Sequence, residues 1–194
     1  MLEGVSTEYA SIQKAIDDAG SGSTILVGSG SYEEDLLVKS KQGISLQTSC
    51  DAEVKSITLS KSESISVSGF SIEPDTKASP AIHVKGAGHK NKDVLLSDNT
   101  IRGGDKQNYG VKVGPNNENI RIESNDIRKT NDQGIRIEQG STDILISSNE
   151  IYDSSQDGIH IGNDVSTTIQ NNTISGSKLD WKGPKFHQLS MILS

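Results

Sequence analysis

Apolar and polar residues alternate in short stretches along most of the chain. Ile120 and Ile122 flank one polar residue, Ile135 and Ile137 flank another, and Ile127 lies between the two pairs. A period of two is typical of strands that bury one face. After about residue 20, no segment shows a convincing helical period until the extreme C-terminus. The pattern therefore predicts a series of short strands separated by turns.

The same pattern returns about every 24 residues. The recurrent residues are Asn99, Asn125, Asn149 and Asn172, together with Gly110, Gly134 and Gly158. A repeat of three short strands cannot bury a face alone, so successive repeats must stack with equivalent strands paired in parallel. We therefore expect an all-β fold, a parallel β-helix of about six coils whose lumen holds ladders of Ile, Val and Leu.

The chain is interpreted as a single domain over residues 1–194. Residues 9–20 form the predicted N-terminal cap, because Ile12, Ala15, Ile16 and Ala19 lie on one helical face, and the Gly-rich residues 20–23 are expected to end that helix with a left-handed glycine. Coils are expected over 24–176. Residues 177–194, which include Trp181 and Phe186, are predicted to be an irregular tail or cap, with a truncated or artificial terminus as the alternative.

The asparagine row is interpreted as structural. Asn tolerates a left-handed backbone, and its amide can bond the backbone, which suits the bend between two strands. Stacked one coil apart, the amides can also bond each other along the rod. We assign this asparagine ladder no chemistry.

Composition and charge narrow the possible functions. Aromatic residues make up only 4% of the chain, so the core must be narrow and aliphatic. The formal net charge of -7 argues against binding nucleic acid through net charge alone. No apolar run is long enough to span a membrane, and the N-terminal sequence lacks the features of a signal peptide, so either the protein is not exported or a leader has been removed.

The repeat resembles that of the pectate-lyase-like right-handed β-helix superfamily. The segment YASIQKAIDDAGSGSTILVGSGSYEEDLLV is similar to the opening segment of that group, and the recurrent SNxI and DGIxI units are similar to its coil repeat. The resemblance covers about residues 9–176 and implies a right-handed β-helix and an extracellular or periplasmic location. The superfamily includes polysaccharide lyases, glycoside hydrolases, alginate epimerases, phage tailspikes and binding proteins, so the fold alone does not choose an activity.

One strand of each coil carries a chemically distinctive residue at its centre. In an Ile-x-Ile strand with both Ile side chains in the lumen, the central side chain points outward. These central residues are His83, Lys112, Arg136 and His160, and we expect them to form one row with a spacing of about 5 Å. Such a row predicts a groove for a polyanion, and an ordinary solvated face is the alternative.

The resemblance implies roles for this row. In several lyases of the superfamily, a Lys or Arg on this sheet abstracts the proton beside a uronate carboxylate. Lys112 and Arg136 are the corresponding candidates, one as base and the other neutralising the carboxylate, and His160 or His83 is expected to act as an acid or to contact sugar. We also expect Tyr109 and Glu138 to bind substrate. Glu138 faces the same way as Arg136 and either binds calcium or pairs with Arg136.

Calcium is the one cofactor that the sequence raises. The loops beside the row contain Asp105, Asp132, Asp153 and Asp157, which could supply the several oxygens that calcium takes. Their position beside Gly and Asn favours the alternative that they are turn residues. Asp157 and His160 also resemble a catalytic pair, but Asp-Gly-Ile is a common turn of these coils.

Two hypotheses of function follow. The first is a carbohydrate-active or carbohydrate-binding protein that recognises an anionic polysaccharide and, if it is an enzyme, acts as a uronate lyase by β-elimination. The second is a non-catalytic structural, adhesive or spike-like module that self-associates through the ends of the β-helix. The short loops, of about six to nine residues, favour the second. The carboxylate signature of polygalacturonases and the Asp-Pro-His of alginate epimerases are both absent from the sequence.

Overall fold

The computed structural model describes residues 7–74, 80–103, 109–181 and 189–193, with only the backbone described from residue 178 onward. These ranges contain one α-helix, α1 (Ile12–Asp18), one 3-10 helix (Ala87–His89) and twenty-one β-strands. No helix in these ranges is both long enough and apolar enough to cross a membrane.

The strands form three rows, and every coil contributes one strand to each. The first row contains β1 (Thr24–Val27), β4 (Ser45–Thr48), β7 (Glu63–Ser68), β10 (Lys92–Ser97), β13 (Glu118–Glu123), β16 (Thr142–Ser147) and β19 (Thr167–Ser175). The second contains β2 (Gly30–Ser31), β5 (Ala52–Val54), β8 (Ser71–Ile72), β11 (Thr100–Arg102), β14 (Asp126–Arg128) and β17 (Glu150–Tyr152). The third contains β3 (Asp35–Lys39), β6 (Ser56–Ser60), β9 (Ile82–Val84), β12 (Val111–Val113), β15 (Ile135–Ile137), β18 (Asp157–Ile161) and β20 (Lys178–Trp181).

Equivalent strands of neighbouring coils pair in parallel throughout these rows. The third row is a seven-stranded sheet that runs from β3 to β20, so about six full turns separate its two ends. The long strand β19 belongs to both the first and second rows and joins them into one fourteen-stranded sheet, which also includes β21 (Leu189–Leu193). The predicted β-helix of about six coils is confirmed.

The lumen is filled by aliphatic ladders, as predicted. Ile82, Val111, Ile135 and Ile159 occupy equivalent positions on successive strands, and each is at most 1% exposed. Full burial of one such side chain contributes about 1.5–3 kcal/mol. Because inward and outward positions alternate along a strand, these ladders fix the direction of every residue between them.

The asparagine ladder is buried and continuous. The side-chain oxygen of Asn125 accepts hydrogen bonds from the backbone and the amide of Asn99, and Asn149 does the same for Asn125. The positive φ at each bend falls on the residue before the asparagine, such as Ser124 at 56° and Ser148 at 57°. The ladder residues instead turn their amides inward, where burial makes each hydrogen bond important.

Helix α1 closes the first coil. Its apolar face is buried, and the carboxylate of Glu34 accepts hydrogen bonds from the backbone nitrogens of Ile12 at 3.1 Å and Gln13 at 2.9 Å. The predicted left-handed glycine end of the helix was wrong. Ala19, which follows the helix, is extended, and the positive φ lies at Gly22, in the turn that leads into β1.

The C-terminal part of the chain continues the stacking. Strand β20 pairs with β18, and β21 pairs with β19, both in parallel. Both strands lie in the segment for which the sequence predicted an irregular tail or cap. Phe186, one of the residues in that prediction, lies outside the described residues.

Candidate functional site

The four central residues of the third row lie side by side. The register pairs His83 with Lys112, Lys112 with Arg136, and Arg136 with His160. Each is flanked along its own strand by two buried aliphatic residues and is itself half-buried. The structure therefore brings the predicted row together on one sheet, which is named here the cation row.

Glu138 joins the two cations at the centre of this row. It occupies the next outward position after Arg136, and its Oε1 lies 3.0 Å from Lys112 Nζ and 3.6 Å from Arg136 Nε. The three side chains are between 23% and 31% exposed. Ion pairs with this access to water usually contribute about 1 kcal/mol or less, so they can exchange with a ligand. Of the two uses that the sequence left open for Glu138, the structure shows pairing with Arg136, and it adds Lys112.

Tyr109 lies beneath both cations. Lys112 Nζ is 5.3 Å and Arg136 Cζ is 5.7 Å from the centre of its ring, which is within the range of cation–π attraction. Burial raises the pKa of the Tyr109 phenol, and the nearby Asp132 raises it further, while Arg136 opposes the rise. The phenol therefore keeps its proton at neutral pH and offers a hydrogen-bond donor beside the row.

His83 is a neutral member of the row. Burial lowers the pKa of its imidazole to about 4, and the positive charges of Lys112 and Lys85 contribute, while Glu138 acts in the opposite direction. At neutral pH His83 therefore adds no positive charge. The two cations and the Glu138 carboxylate leave this central part of the row with one net positive charge, which is less than the sequence predicted.

His160 forms the contact that the sequence raised as a catalytic pair. Its Nδ1 lies 3.3 Å from Oδ2 of Asp157, which is itself buried at 8% exposure. Both residues lie on β18, where the register relative to β20 shifts between them. The carboxylate can hold the imidazole in one orientation.

A second line of side chains supports the row, and Gln133 is the member of it that was not identified from the sequence. Tyr109, Gln133 and Asp157 each precede the recurrent glycine of their coil, at residues 110, 134 and 158. Each contacts the row residue three positions later: the ring of Tyr109 meets Lys112, Gln133 Oε1 accepts a hydrogen bond from Arg136 Nη1 at 3.4 Å, and Asp157 meets His160. The regular placement before each glycine was the signal available in the sequence.

The surface at the row is shallow. An open depression of about 420 Å³ lies over the C-terminal half of the row. Its lining includes Pro115, Arg136, Glu138, Gln139, His160 and Asn163. Such a surface suits a chain lying along the rod better than a small molecule that needs enclosure.

The described residues do not form a calcium site. No three His, Cys, Asp or Glu side chains in the described part of the chain come together as metal ligands require. Asp153 has a φ of 54° and occupies a turn, while Asp157 is engaged with His160. Asp132 lies near Tyr109, whose pKa it raises. Asp105, the fourth aspartate of the predicted set, lies outside the described residues.

A comparison with protein families finds one match. Residues 21–184 match the family described as the right-handed beta helix region. No curated protein matches the chain in a sequence search. The match covers most of the chain and therefore all four members of the cation row.

Several solved structures are similar to this chain at low identity. The periplasmic alginate epimerase AlgG is 15% identical over 89% of this chain and 46% of its own, with a TM-score of 0.44. The A-module of the mannuronan C-5 epimerase AlgE4 from Azotobacter vinelandii is 14% identical over 82% of this chain and 58% of its own, with a TM-score of 0.35. A mutant of the PL6 family alginate lyase AlyGC is 11% identical over 88% of this chain and 38% of its own, with a TM-score of 0.37. The chain thus spans about half the length of these structures or less.

Proposed function

The chain belongs to the right-handed β-helix family, and from that premise we propose that it binds an anionic polysaccharide along the cation row. The observation that carries this proposal is the placement of Lys112 and Arg136 on adjacent strands, above the ring of Tyr109. A polymer that lies along the rod meets one outward residue at each coil. The place of action that fits such a ligand is extracellular or periplasmic.

The chemistry of the row fits a carboxylated sugar. Lys112 supplies a mobile ammonium, and Arg136 supplies a planar guanidinium that can hold a carboxylate through two hydrogen bonds. The protonated phenol of Tyr109 and the neutral imidazole of His83 can bond sugar hydroxyls. The row therefore combines charge recognition at its centre with neutral polar contacts at one side.

If the protein is an enzyme, uronate β-elimination is the reaction that the row supports. The carbon-bound proton beside the carboxylate passes to a base, the bond to the leaving oxygen breaks, a carbon–carbon double bond forms, and the leaving oxygen takes up a proton. Lys112 and Arg136 are the candidates for the base and for neutralising the carboxylate, and His160 is the candidate acid. The contact with Asp157 at 3.3 Å can orient the imidazole of His160 toward the leaving oxygen.

A non-catalytic module is the second candidate function. The observation that favours it is the pairing of both cations by Glu138 on a shallow surface, as on an ordinary solvated face. In that case the row contributes to solubility, and assembly occurs through other surfaces such as the ends of the rod. The two candidates differ in whether polyanions bind.

The decisive experiment compares two substitutions that each remove one cation, Lys112→Ala in the cation row and Arg121→Ala on another face of the rod. Calorimetric titration with alginate, polygalacturonate and chondroitin measures binding, and ultraviolet absorbance of new unsaturated uronates measures elimination. We expect Lys112→Ala to weaken binding about tenfold and to abolish any elimination signal. Arg121→Ala is the matched control, because Arg121 pairs with Glu123 at 2.7 Å on β13 and so repeats the arrangement of Arg136 and Glu138 on another face.

The outcomes separate the candidates. Binding by the wild type and by Arg121→Ala, but weakly by Lys112→Ala, supports the proposal. Elimination that is lost only in Lys112→Ala supports the lyase. If none of the three polymers binds or raises the melting temperature, the polysaccharide proposal is wrong and the non-catalytic module stands.

A further inference from the structure

Glu138 uses one carboxylate oxygen for two cations. Oε1 is 3.0 Å from Lys112 Nζ and 3.6 Å from Arg136 Nε, and the second of these distances is too long for a hydrogen bond. Arg136 Nε is buried and has no hydrogen-bond partner in the described structure. Glu138 therefore attracts the Arg136 guanidinium electrostatically but does not accept a hydrogen bond from its Nε.

The unsatisfied nitrogen points to an exchangeable arrangement. A buried donor without a partner carries an unfavourable desolvation cost that a better placed acceptor removes. Gln133 accepts a hydrogen bond from Nη1 of the same guanidinium at 3.4 Å, whereas the buried Nε has no acceptor within hydrogen-bonding distance. A ligand carboxylate that displaces Glu138 can meet Lys112 and Arg136 with separate oxygens.

We propose that Glu138 occupies the position of a ligand carboxylate in the cation row and must be displaced before a polysaccharide binds. This inference rests on the proposed function, and it makes Glu138 the residue that determines which ligands succeed. Replacing the Glu138 carboxylate by a ligand carboxylate gains little binding free energy, so we expect a single uronate to bind weakly. A polymer gains affinity from further contacts at His83, one coil before Lys112, and at His160, one coil after Arg136. Because the sugars are already linked, these contacts require no second loss of translational and rotational freedom.

The ligand class that follows is a polyuronate rather than a free uronic acid. A polyuronate presents a carboxylate to displace Glu138 and adjacent sugars to occupy the neighbouring coils. A neutral polysaccharide fits poorly, because it offers nothing to replace the carboxylate between Lys112 and Arg136. The row therefore selects for both charge and length.

The test measures polygalacturonate and alginate binding by calorimetry in the wild type and in Glu138→Gln. We expect Glu138→Gln to bind about tenfold more tightly at low salt, because the amide keeps the shape of the side chain and releases both cations. Glu123→Gln is the matched control, since Glu123 pairs with Arg121 two residues before it on another face, as Glu138 pairs with Arg136. We expect Glu123→Gln to leave the affinity for polyuronate unchanged. Monomeric galacturonate is expected to bind the wild type at least a hundredfold more weakly than the polymer.

A double-mutant cycle separates a local effect from a general gain of positive charge. In a Lys112→Ala background, the gain from Glu138→Gln is expected to fall to twofold or less. Glu138→Asp retains the charge but withdraws the carboxylate by one methylene, and we expect a smaller gain than for Gln. This second variant also keeps the inference testable if Glu138→Gln melts at a lower temperature.

The failures are distinguishable. If the wild type binds a polyuronate and Glu138→Gln and Glu138→Asp bind equally or more weakly, Glu138 positions the cations and the inference is overturned. A gain that persists undiminished in the Lys112→Ala background also overturns it. If neither the wild type nor the variants bind any polyuronate, the proposed function itself fails, and the inference fails with it.

Discussion

The side chain of Gln13 hydrogen-bonds both backbone groups of Leu37. Its Oε1 accepts from the Leu37 nitrogen at 2.7 Å, and its Nε2 donates to the Leu37 oxygen at 3.1 Å. Leu37 lies on β3, the first strand of the seven-stranded sheet, and no strand among the described residues pairs with its outer edge. The carboxamide of Gln13 thus takes the place of a strand peptide and blocks an edge that would otherwise be free to pair with another chain.

We predict that Gln13→Ala lowers the free energy of unfolding by about 1 to 3 kcal/mol, since the two hydrogen bonds to Leu37 are lost and each usually contributes about 0.5–1.5 kcal/mol. The substitution also removes a hydrogen bond from Gln13 to Asp17, which lies within the exposed helix surface. Chemical denaturation measures the change. Gln42→Ala, at an exposed glutamine, is the control and is expected to shift the value by about 0.5 kcal/mol or less. Equal effects of the two substitutions would contradict the role given to Gln13. Concentration-dependent association of Gln13→Ala would further indicate that the edge has been opened.

The asparagine ladder predicts a larger effect for a buried member. Asn125 donates to the Leu96 oxygen at 2.9 Å and to Asn149 Oδ1 at 3.0 Å. We expect Asn125→Ala to cost about 3 kcal/mol, because it leaves buried groups unpaired. Asn125→Asp is expected to be no better, since a carboxylate cannot donate to Leu96. Thermal and chemical denaturation check both variants, and Asn163→Ala, at an exposed residue, is the control. A cost below about 1 kcal/mol for Asn125→Ala would show that the ladder is dispensable.

The glycine row predicts a steric effect. A Cβ added at Gly134 would lie 2.6 Å from Ile151 Cγ2 and 2.7 Å from the Gly158 oxygen, so the adjacent coil would have to move. We expect Gly134→Ala to destabilise the protein by about 1 to 3 kcal/mol, as overpacking of a core does. Gly88→Ala is the matched control, because a Cβ there meets no atom within 4 Å. Similar melting temperatures for the two variants would disprove the close approach at Gly134.

The outward direction of the cation row was predictable because the buried aliphatic residues on either side of each member fix it. Once Ile135 and Ile137 point inward, the period of a strand requires Arg136 to point outward, and the repeat length brings Lys112 beside it. The partners of these cations were not predictable, because the end of a long side chain is placed by neighbours on another coil. Glu138, which directly follows β15, reaches Lys112 of the preceding coil as well as Arg136 of its own coil.

The left-handed turn residue shows a different limit. Asn99 and the preceding Asp98 are both residue types that favour turns, and the sequence alone did not show which of them takes the positive φ. The φ of 56° belongs to Asp98, since Asn99 is needed in the interior to bond Asn125 and the Val67 oxygen. Burial, which is a property of the stacked coils, decides between two residues that are locally similar.

The position of Tyr109 predicts that its ring contributes to ligand binding. The centre of its ring lies 5.3 Å from Lys112 Nζ and 5.7 Å from Arg136 Cζ. We expect Tyr109→Leu to weaken polyuronate binding about fivefold, which corresponds to a cation–π contribution of about 1 kcal/mol. Tyr109→Phe keeps the ring and is expected to retain most of the affinity. If Phe and Leu weaken binding equally, the hydroxyl and not the ring carries the contribution.

His83 predicts a pH dependence of stability whose sign follows from its buried, neutral imidazole. The pKa of His83 is about 4 in the folded protein, whereas an unfolded histidine titrates near 6.5. Between these values the unfolded chain binds a proton that the folded chain does not, so stability falls as the pH decreases from about 6.5 to about 4. Because His83 is only half-buried, we expect a loss of about 1 to 2 kcal/mol after allowance for solvent screening.

Two measurements check this prediction. Denaturation of the wild type and of His83→Gln at pH 7.5, 5.5 and 4.5, values chosen to bracket the roughly 6.5 to 4 window, is expected to show that the substitution removes part of the decline at low pH. Proton NMR is expected to place the midpoint of the imidazole resonance that disappears in His83→Gln at about pH 4. Burial is the largest cause of the shift, and Lys112 is the next, so Lys112→Ala is expected to raise the midpoint only in part. A midpoint near 6.5 in the wild type would mean that His83 is solvated, and the cation row would then gain a positive charge in mildly acidic solution.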